Sequence, residues 1–245
     1  MGPSTPSRAD GRGPADLRPF SVEWDPMTFA LSSLIVRTGR TAVLCSVSID
    51  DNVPRWRKGQ GVGWLSAEYR LLPGSTPQRQ SRELMKLSGR TQEIQRLIGR
   101  SLRAVLDMGA LGERTLLIDC DVIQADAGTR TAAITGAWVA LRRACDRLIA
   151  DGVLERDPIH QQLAAVSVGL VDGTLLLDLD YSEDSRADVD LNVVCTGSSQ
   201  LLEIQGTAEG SPFSRAQLDA MLDLGQAGLQ QLMQGQQQAL TAVAS

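Results

Sequence analysis

Two kinds of residue cluster in this sequence could act on a phosphorylated molecule. The first is a pair of short glycine-containing turns, each followed by an arginine: Gln124-Ala125-Asp126-Ala127-Gly128-Thr129-Arg130 and Ser88-Gly89-Arg90-Thr91. A glycine lets backbone approach a ligand closely, the free N–H groups of a following helix point at it, and a guanidinium grips phosphate oxygens in pairs. Thr129 adds a hydroxyl donor at the same spot. Either turn can equally be read as a helix start with an incidental arginine. The second cluster is acidic, with seven carboxylates against the single Arg186 between Asp172 and Asp190. The alternation there places Asp178 and Asp180 on one strand face, Asp184 in the loop, and Asp188 and Asp190 on one face of the next strand. Hard oxygen donors in this arrangement suit Mg²⁺ or Mn²⁺. A solvated acidic loop is the other reading.

Composition narrows the chemistry further. His160 is the sole histidine in 245 residues, which excludes any triad or zinc site needing two or three imidazoles. All basic residues but Lys58 and Lys86 are arginine, and the net charge is −5. That average conceals a division. From Arg37 to Arg103 thirteen basic residues face five acidic ones, a net of +8, so the remainder carries −13. An arginine-rich segment and a separate carboxylate cluster are what a metal-assisted phosphate enzyme needs. Cys45, Cys120, Cys145 and Cys195 form no Cys-x-x-Cys pair and sit in apolar contexts, so buried free thiols in a reducing cytoplasm are expected. No apolar run is long enough to span a bilayer, and residues 1–9 read as a short disordered extension.

The elements that must position these clusters follow from periodicity. Residues 31–37 and 41–49 are β-branched-rich runs around Thr38-Gly39-Arg40, a hairpin signal. Residues 52–80 are too polar and too punctuated by Gly and Pro for a continuous element. Residues 91–108 carry Ile94, Leu97, Ile98, Leu102, Val105 and Met108 at helical spacing. Residues 114–124 alternate as a strand with Leu116, Ile118, Cys120 and Val122 on its buried face. A helix is expected over 131–150 and a hairpin over 164–171 and 174–181 around Asp172-Gly173. A strand pair is expected over 191–196 and 200–207, then a C-terminal helix over 215–244 interrupted at Gly225, Gly228 and Gly235. Strands and helices in this order make an α+β fold with mixed sheets, not a doubly wound series.

Longer stretches carry a family resemblance. Val53-Pro54-Arg55-Trp56-Arg57-Lys58-Gly59-Gln60-Gly61-Val62-Gly63-Trp64-Leu65-Ser66-Ala67-Glu68-Tyr69, Gly89-Arg90-Thr91-Gln92-Glu93-Ile94-Gln95-Arg96-Leu97-Ile98, Asp119-Cys120-Asp121-Val122, Gly128-Thr129-Arg130-Thr131 and Gln205-Gly206-Thr207-Ala208-Glu209-Gly210 resemble the bacterial ribonuclease PH family. Asp10-Gly11-Arg12 resembles its opening motif, and the likeness runs to the C-terminal helix. The resemblance implies a single domain over residues 10–245 with the ribonuclease PH α+β fold. The activity it implies is tRNA nucleotidyltransfer: 3′→5′ exonucleolysis with inorganic phosphate as co-substrate, releasing nucleoside diphosphates. It further implies that Arg90, Gly128, Thr129 and Arg130 hold phosphate and that Asp184 and Asp190 are the catalytic and metal-binding pair for Mg²⁺ or Mn²⁺. Arg79 and Arg82, on a loop spanning 73–86, would face RNA such as tRNA 3′ ends. The implied assembly is a homohexamer built as a trimer of dimers.

The sequence departs from the family pattern in places. Gly74 stands where the family usually has arginine, the loop before Gly89 is about two residues shorter, Ala127 replaces a glycine, and residues 24–33 lack the usual His and Glu-Gly. Two rivals remain: a non-catalytic RNA-binding ring subunit of an exosome-like assembly, and a small-molecule phosphotransferase. The first should lack the phosphate arginines or the Asp pair, and the basic loop from Arg55 to Arg82 argues against the second.

Overall fold

The computed structural model describes residues 8–244. Residues 1–7 of the expected N-terminal extension lie outside the described residues, while Arg8 is buried and paired to Glu183, so it belongs to the fold.

The first half forms a five-stranded sheet from β1 (Phe20–Trp24), β2 (Ser32–Thr38), β3 (Thr41–Asp50), β4 (Trp64–Leu71) and β5 (Thr115–Gln124), in the order β1-β2-β3-β5-β4. Only the β4–β5 pair is parallel. Its crossover is α1 (Gly89–Arg103), whose apolar stripe of Ile94, Leu97, Ile98 and Leu102 is fully buried. At roughly 1.5–3 kcal/mol per buried side chain, that stripe is what holds α1 down. The second half is a four-stranded antiparallel sheet, β7-β6-β8-β9, made of β6 (Leu163–Val171), β7 (Thr174–Leu177), β8 (Val189–Thr196) and β9 (Leu201–Ala208). Between the sheets runs α2 (Thr129–Ala150), whose residues from Thr129 to Leu141 are buried almost without a break. The main core therefore joins Val36, Ile118 and Trp138 to Leu163, Ala165 and Val194. A short helix α3 (Tyr181–Asp184) links β7 to β8, and α4 (Arg215–Ala244) covers the far side of the second sheet with Met221, Leu229 and Leu232.

The α+β class is as expected, but several elements differ from the sequence expectation. The polar region over 52–80 contains β4, whose Leu65 and Tyr69 are buried despite Glu68 and Arg70 between them. β1 is an additional strand. α1 stops at Arg103, because Val105 and Met108 continue its spacing on a following turn whose Leu106 bridges Ile159. β7 ends at Leu177, since Asp178 adopts φ 52° and turns the chain. α4 is unbroken. A Cβ on Gly225, Gly228 or Gly235 would lie 3.3 Å from Val168, 2.7 Å from Leu177 or 2.9 Å from Phe20, so these glycines let the helix press onto its neighbours instead of ending it. The four cysteines are free and buried.

Candidate active site

The entry to α2 is built by two consecutive left-handed residues, Ala127 at φ 57° and Gly128 at φ 60°. No side chain caps this N-terminus. Its first amides, at the positive end of a 22-residue helix, therefore face the cleft without a side-chain partner. Two side chains hold the turn. The Thr41 hydroxyl donates to the Ala127 carbonyl (2.6 Å) and accepts from the Asp126 amide (2.9 Å). The Arg18 guanidinium donates to the Asp126 carbonyl at 2.6 Å and, at 2.7 Å, to Asp178. A Cβ on Gly128 would approach that guanidinium to 2.8 Å, so the position needs glycine for space as well as for φ.

The first residues of α2 carry the functional groups. Thr129 Oγ1 is hydrogen-bonded at 2.8 Å to the hydroxyl of the fully buried Tyr69, on β4. Arg130 donates to Gln205 Oε1 at 2.6 Å and lies 3.4 Å from Glu93. Gln205, on β9, donates in turn to Glu93 at 2.8 Å, tying β9 to α1 across the cleft. Arg90 is the second residue of α1, whose start is capped by the Ser88 hydroxyl accepting from the Thr91 amide. It is exposed and makes no ion pair among the described residues.

The acidic stretch resolves into carboxylates held by structural partners, an exposed Asp188, and two that face the cleft. Asp172 pairs with Arg186 at 2.6 Å. Asp178 does not share a strand face with Asp180: it is buried against Arg18, while Asp180 caps α3 in a reciprocal capping box with Glu183. Glu183 is buried and receives two hydrogen bonds from Arg8, at 2.7 and 2.6 Å. Asp188 is exposed and precedes β8, so it and Asp190 are not two residues of one strand face. What remains is Asp184, at the end of α3, and Asp190, on β8.

Burial raises the Asp184 carboxyl above its ordinary value, against the opposing pull of Arg90, Arg130 and Arg18. Asp190 is pushed up to about 6 by burial and by repulsion from Asp184. One of its oxygens accepts from Asn192 at 3.3 Å, and the other, Oδ1, is buried with no hydrogen-bond partner. Two mutually repelling carboxylates with an unsatisfied buried oxygen fit a hard divalent cation. Among the described residues no three His, Cys, Asp or Glu converge on such a point. A cation here would have Asp184 and Asp190 as its protein carboxylates.

Arg90, Gly128, Thr129, Arg130, Asp184 and Asp190 all line one cleft of about 480 Å³. The rest of the wall includes Thr76, Pro77, Gln78 and Gln80 of the loop after β4, Ser167 and Asn192 of the second sheet, and Tyr181. Arg79 and Arg82 lie on the exposed part of that loop and are not in the cleft wall. Tyr69, Arg18, Arg8 and Tyr181 went unassigned in the sequence. Tyr69 closes one of the stretches that carry the resemblance, but nothing local marks it as the partner of a threonine 60 positions away.

The profile described as 3′ exoribonuclease family, domain 1, matches residues 16–145, and that described as domain 2 matches residues 161–228. The chain is 81% identical over 240 residues to the ribonuclease PH of Parasynechococcus marenigrum (strain WH8102), covering 98% of this chain and 96% of that protein. It is 58% identical over 233 residues to the ribonuclease PH of Synechococcus elongatus, covering 95% and 98%. Among solved structures, rice Rrp46 superposes with a TM-score of 0.79 at 19% identity over 96% of this chain and 100% of that one. An Archaeoglobus fulgidus exosome chain, solved with RNA bound to the active site, gives 0.79 at 20% identity over 93% and 92%. These two likenesses concern the fold.

Proposed function

The chain belongs to the 3′ exoribonuclease family, and from that premise we propose that its cleft joins inorganic phosphate to the terminal nucleotide of RNA. The activity is that of a phosphate-dependent 3′→5′ exoribonuclease acting in tRNA processing, a tRNA nucleotidyltransferase. The observation that supports this use of the cleft is the convergence of an anion cradle and a repelling carboxylate pair on one wall.

In this reading a phosphate oxygen attacks the phosphorus of the last diester in line, the bond to the 3′ oxygen of the preceding nucleotide breaks, and a nucleoside diphosphate leaves. The proton carried by hydrogen phosphate balances the charge on the departing 3′ oxygen, so the reaction needs no histidine base. Arg90, Arg130, the Thr129 hydroxyl and the uncapped amides of α2 bind and orient the attacking anion and offset its repulsion from the diester. Gln205 holds the Arg130 guanidinium in place, and Tyr69 fixes the Thr129 hydroxyl. Asp184 and Asp190 would hold Mg²⁺ or Mn²⁺, which when bound supplies Lewis-acid neutralisation of charge on the transferring phosphoryl group. Arg79 and Arg82, exposed and outside the cleft wall, would meet the incoming RNA backbone.

The assembly proposed is a homohexameric ring, a trimer of dimers, on the strength of the family. Among the described residues no helix is long and apolar enough to cross a membrane, and four free buried thiols support a reducing cytoplasm. A non-catalytic ring subunit is disfavoured because both the phosphate arginines and the Asp pair are retained. Incubating the protein with Mg²⁺ and a 3′-tailed tRNA, with and without phosphate, tests the reading. Nucleoside diphosphates should appear only with phosphate. Nucleoside monophosphates, or release indifferent to phosphate, would refute it.

A further inference from the structure

We propose that Tyr181 is the stacking platform for the base of the 3′-terminal nucleotide, an inference that rests on the phosphorolytic reading of the cleft. Tyr181 opens α3, three residues before Asp184, and its side chain is 57% exposed. It lines both the cleft that holds Arg90, Arg130, Asp184 and Asp190 and an adjoining recess of about 510 Å³. Among the described residues it is the one aromatic in the cleft wall. The other aromatics near the basic segment are already engaged. Tyr69 is wholly buried, while Trp56 and Trp64 pack edge to face with Arg57 over both rings and Arg103 over Trp64.

The turn that presents Tyr181 is unusually well fixed for a four-residue helix. Asp180 and Glu183 cap it reciprocally, Arg8 pins Glu183 from beneath, and the Tyr181 amide donates to Asp126 at 3.4 Å. One rigid turn thus carries both a carboxylate facing the reacting diester and an exposed ring one helical turn away. The diester lies between the phosphate cradle and the Asp pair, so the nucleoside it releases must occupy the cleft alongside α3. The cleft has an apolar wall of Leu71, Pro77 and Ala125 beside the polar side chains of Thr76, Gln78, Gln80, Ser167 and Asn192. Its volume of about 480 Å³ lies within the roughly 300–1,000 Å³ usual for small-ligand pockets. An aromatic face suits this place, because every base has a π face and an exonuclease must accept each in turn.

The test compares wild type, Tyr181→Ala and Tyr181→Phe on two oligonucleotides that differ only in whether the 3′-terminal residue carries a base or is abasic. Wild type and Tyr181→Phe should favour the intact end in kcat/KM by about 5- to 150-fold, the usual range for one base–aromatic stack. Tyr181→Ala should lose that preference by falling to the abasic level on intact RNA, with its KM for phosphate unchanged. A Tyr181→Ala enzyme that keeps the preference, or that loses activity equally on both ends, overturns the proposal. Failure of the underlying reading looks different: wild type would release product without phosphate.

Discussion

Replacing Asp190 by asparagine should make the protein more stable while abolishing its chemistry. In the metal-free protein the Asp190 carboxylate is pushed from 3.8 to about 6 by burial and by Asp184, and its Oδ1 has no partner. A shift of about two pH units corresponds to about 3 kcal/mol charged against the folded state when the group is ionised. Residual solvent contact reduces this to about 1–3 kcal/mol. The sign follows from linkage: a raised carboxylate pKa costs stability above the folded value of about 6, and the cost vanishes as pH falls below the unfolded value of 3.8. Asparagine keeps the shape, accepts from Asn192 and carries no charge. At about 2–4 °C per kcal/mol for a chain of this size, Asp190→Asn should melt several degrees above wild type in EDTA at pH 7.5. The gap should narrow below pH 6 and close near pH 4. Mg²⁺ should raise the Tm of wild type more than that of the variant, and nucleoside diphosphate release by the variant should be lost. A variant that melts at or below wild type in EDTA at pH 7.5 would refute the account of a strained carboxylate pair awaiting a cation.

Three further outcomes are expected. Arg90→Ala should raise the KM for phosphate by about 10- to 150-fold, the worth of one charge-assisted hydrogen bond, with little change in Tm, since Arg90 is exposed and unpaired among the described residues. Steady-state kinetics at saturating RNA read it. Ala127→Gly should be neutral or stabilising by up to about 1 kcal/mol, because it relieves a left-handed alanine at φ 57°, whereas Gly128→Ala adds strain at φ 60° and crowds Arg18. Paired denaturant titrations of the two variants separate these signs. Arg8→Met should cost up to about 3–5 kcal/mol by stripping the buried Glu183 of its paired guanidinium and leaving it only Arg12, 3.8 Å away, measurable as a lower urea midpoint.

The sequence announced some of this and concealed the rest for identifiable reasons. The strand over 115–124 and the long helix of residues 129–150 were visible because a single periodicity ran unbroken through each. β4 was hidden because Gly, Arg and Glu surround its two buried anchors, Leu65 and Tyr69. The glycines of α4 look like breaks in one dimension and prove to be points of close approach in three. At the site, Arg90, Gly128, Thr129 and Arg130 stood out because local turn chemistry marks an anion cradle. Reading the acidic stretch was harder. Seven carboxylates look alike until Arg18, Arg186 and Arg8 claim Asp178, Asp172 and Glu183, and those partners lie up to 175 residues away. Their distance is why the resemblance singled out Asp184 and Asp190 where alternation alone had grouped Asp178 with Asp180.

That same separation has a bearing on the protein's birth. The residues of the phosphate cradle all lie within the first 130, but Arg130 is held by Gln205, the Arg18 that braces the Gly128 turn is paired with Asp178, and the turn bearing Asp184 is seated by Arg8 on Glu183. Contacts this remote in sequence form late, after the long intervening loop has been closed. A chain still emerging from the ribosome therefore has neither the braced cradle nor both carboxylates. It becomes a nuclease only on completion of the second sheet, and a prematurely terminated chain, surrounded by the RNAs of its own synthesis, is harmless to them.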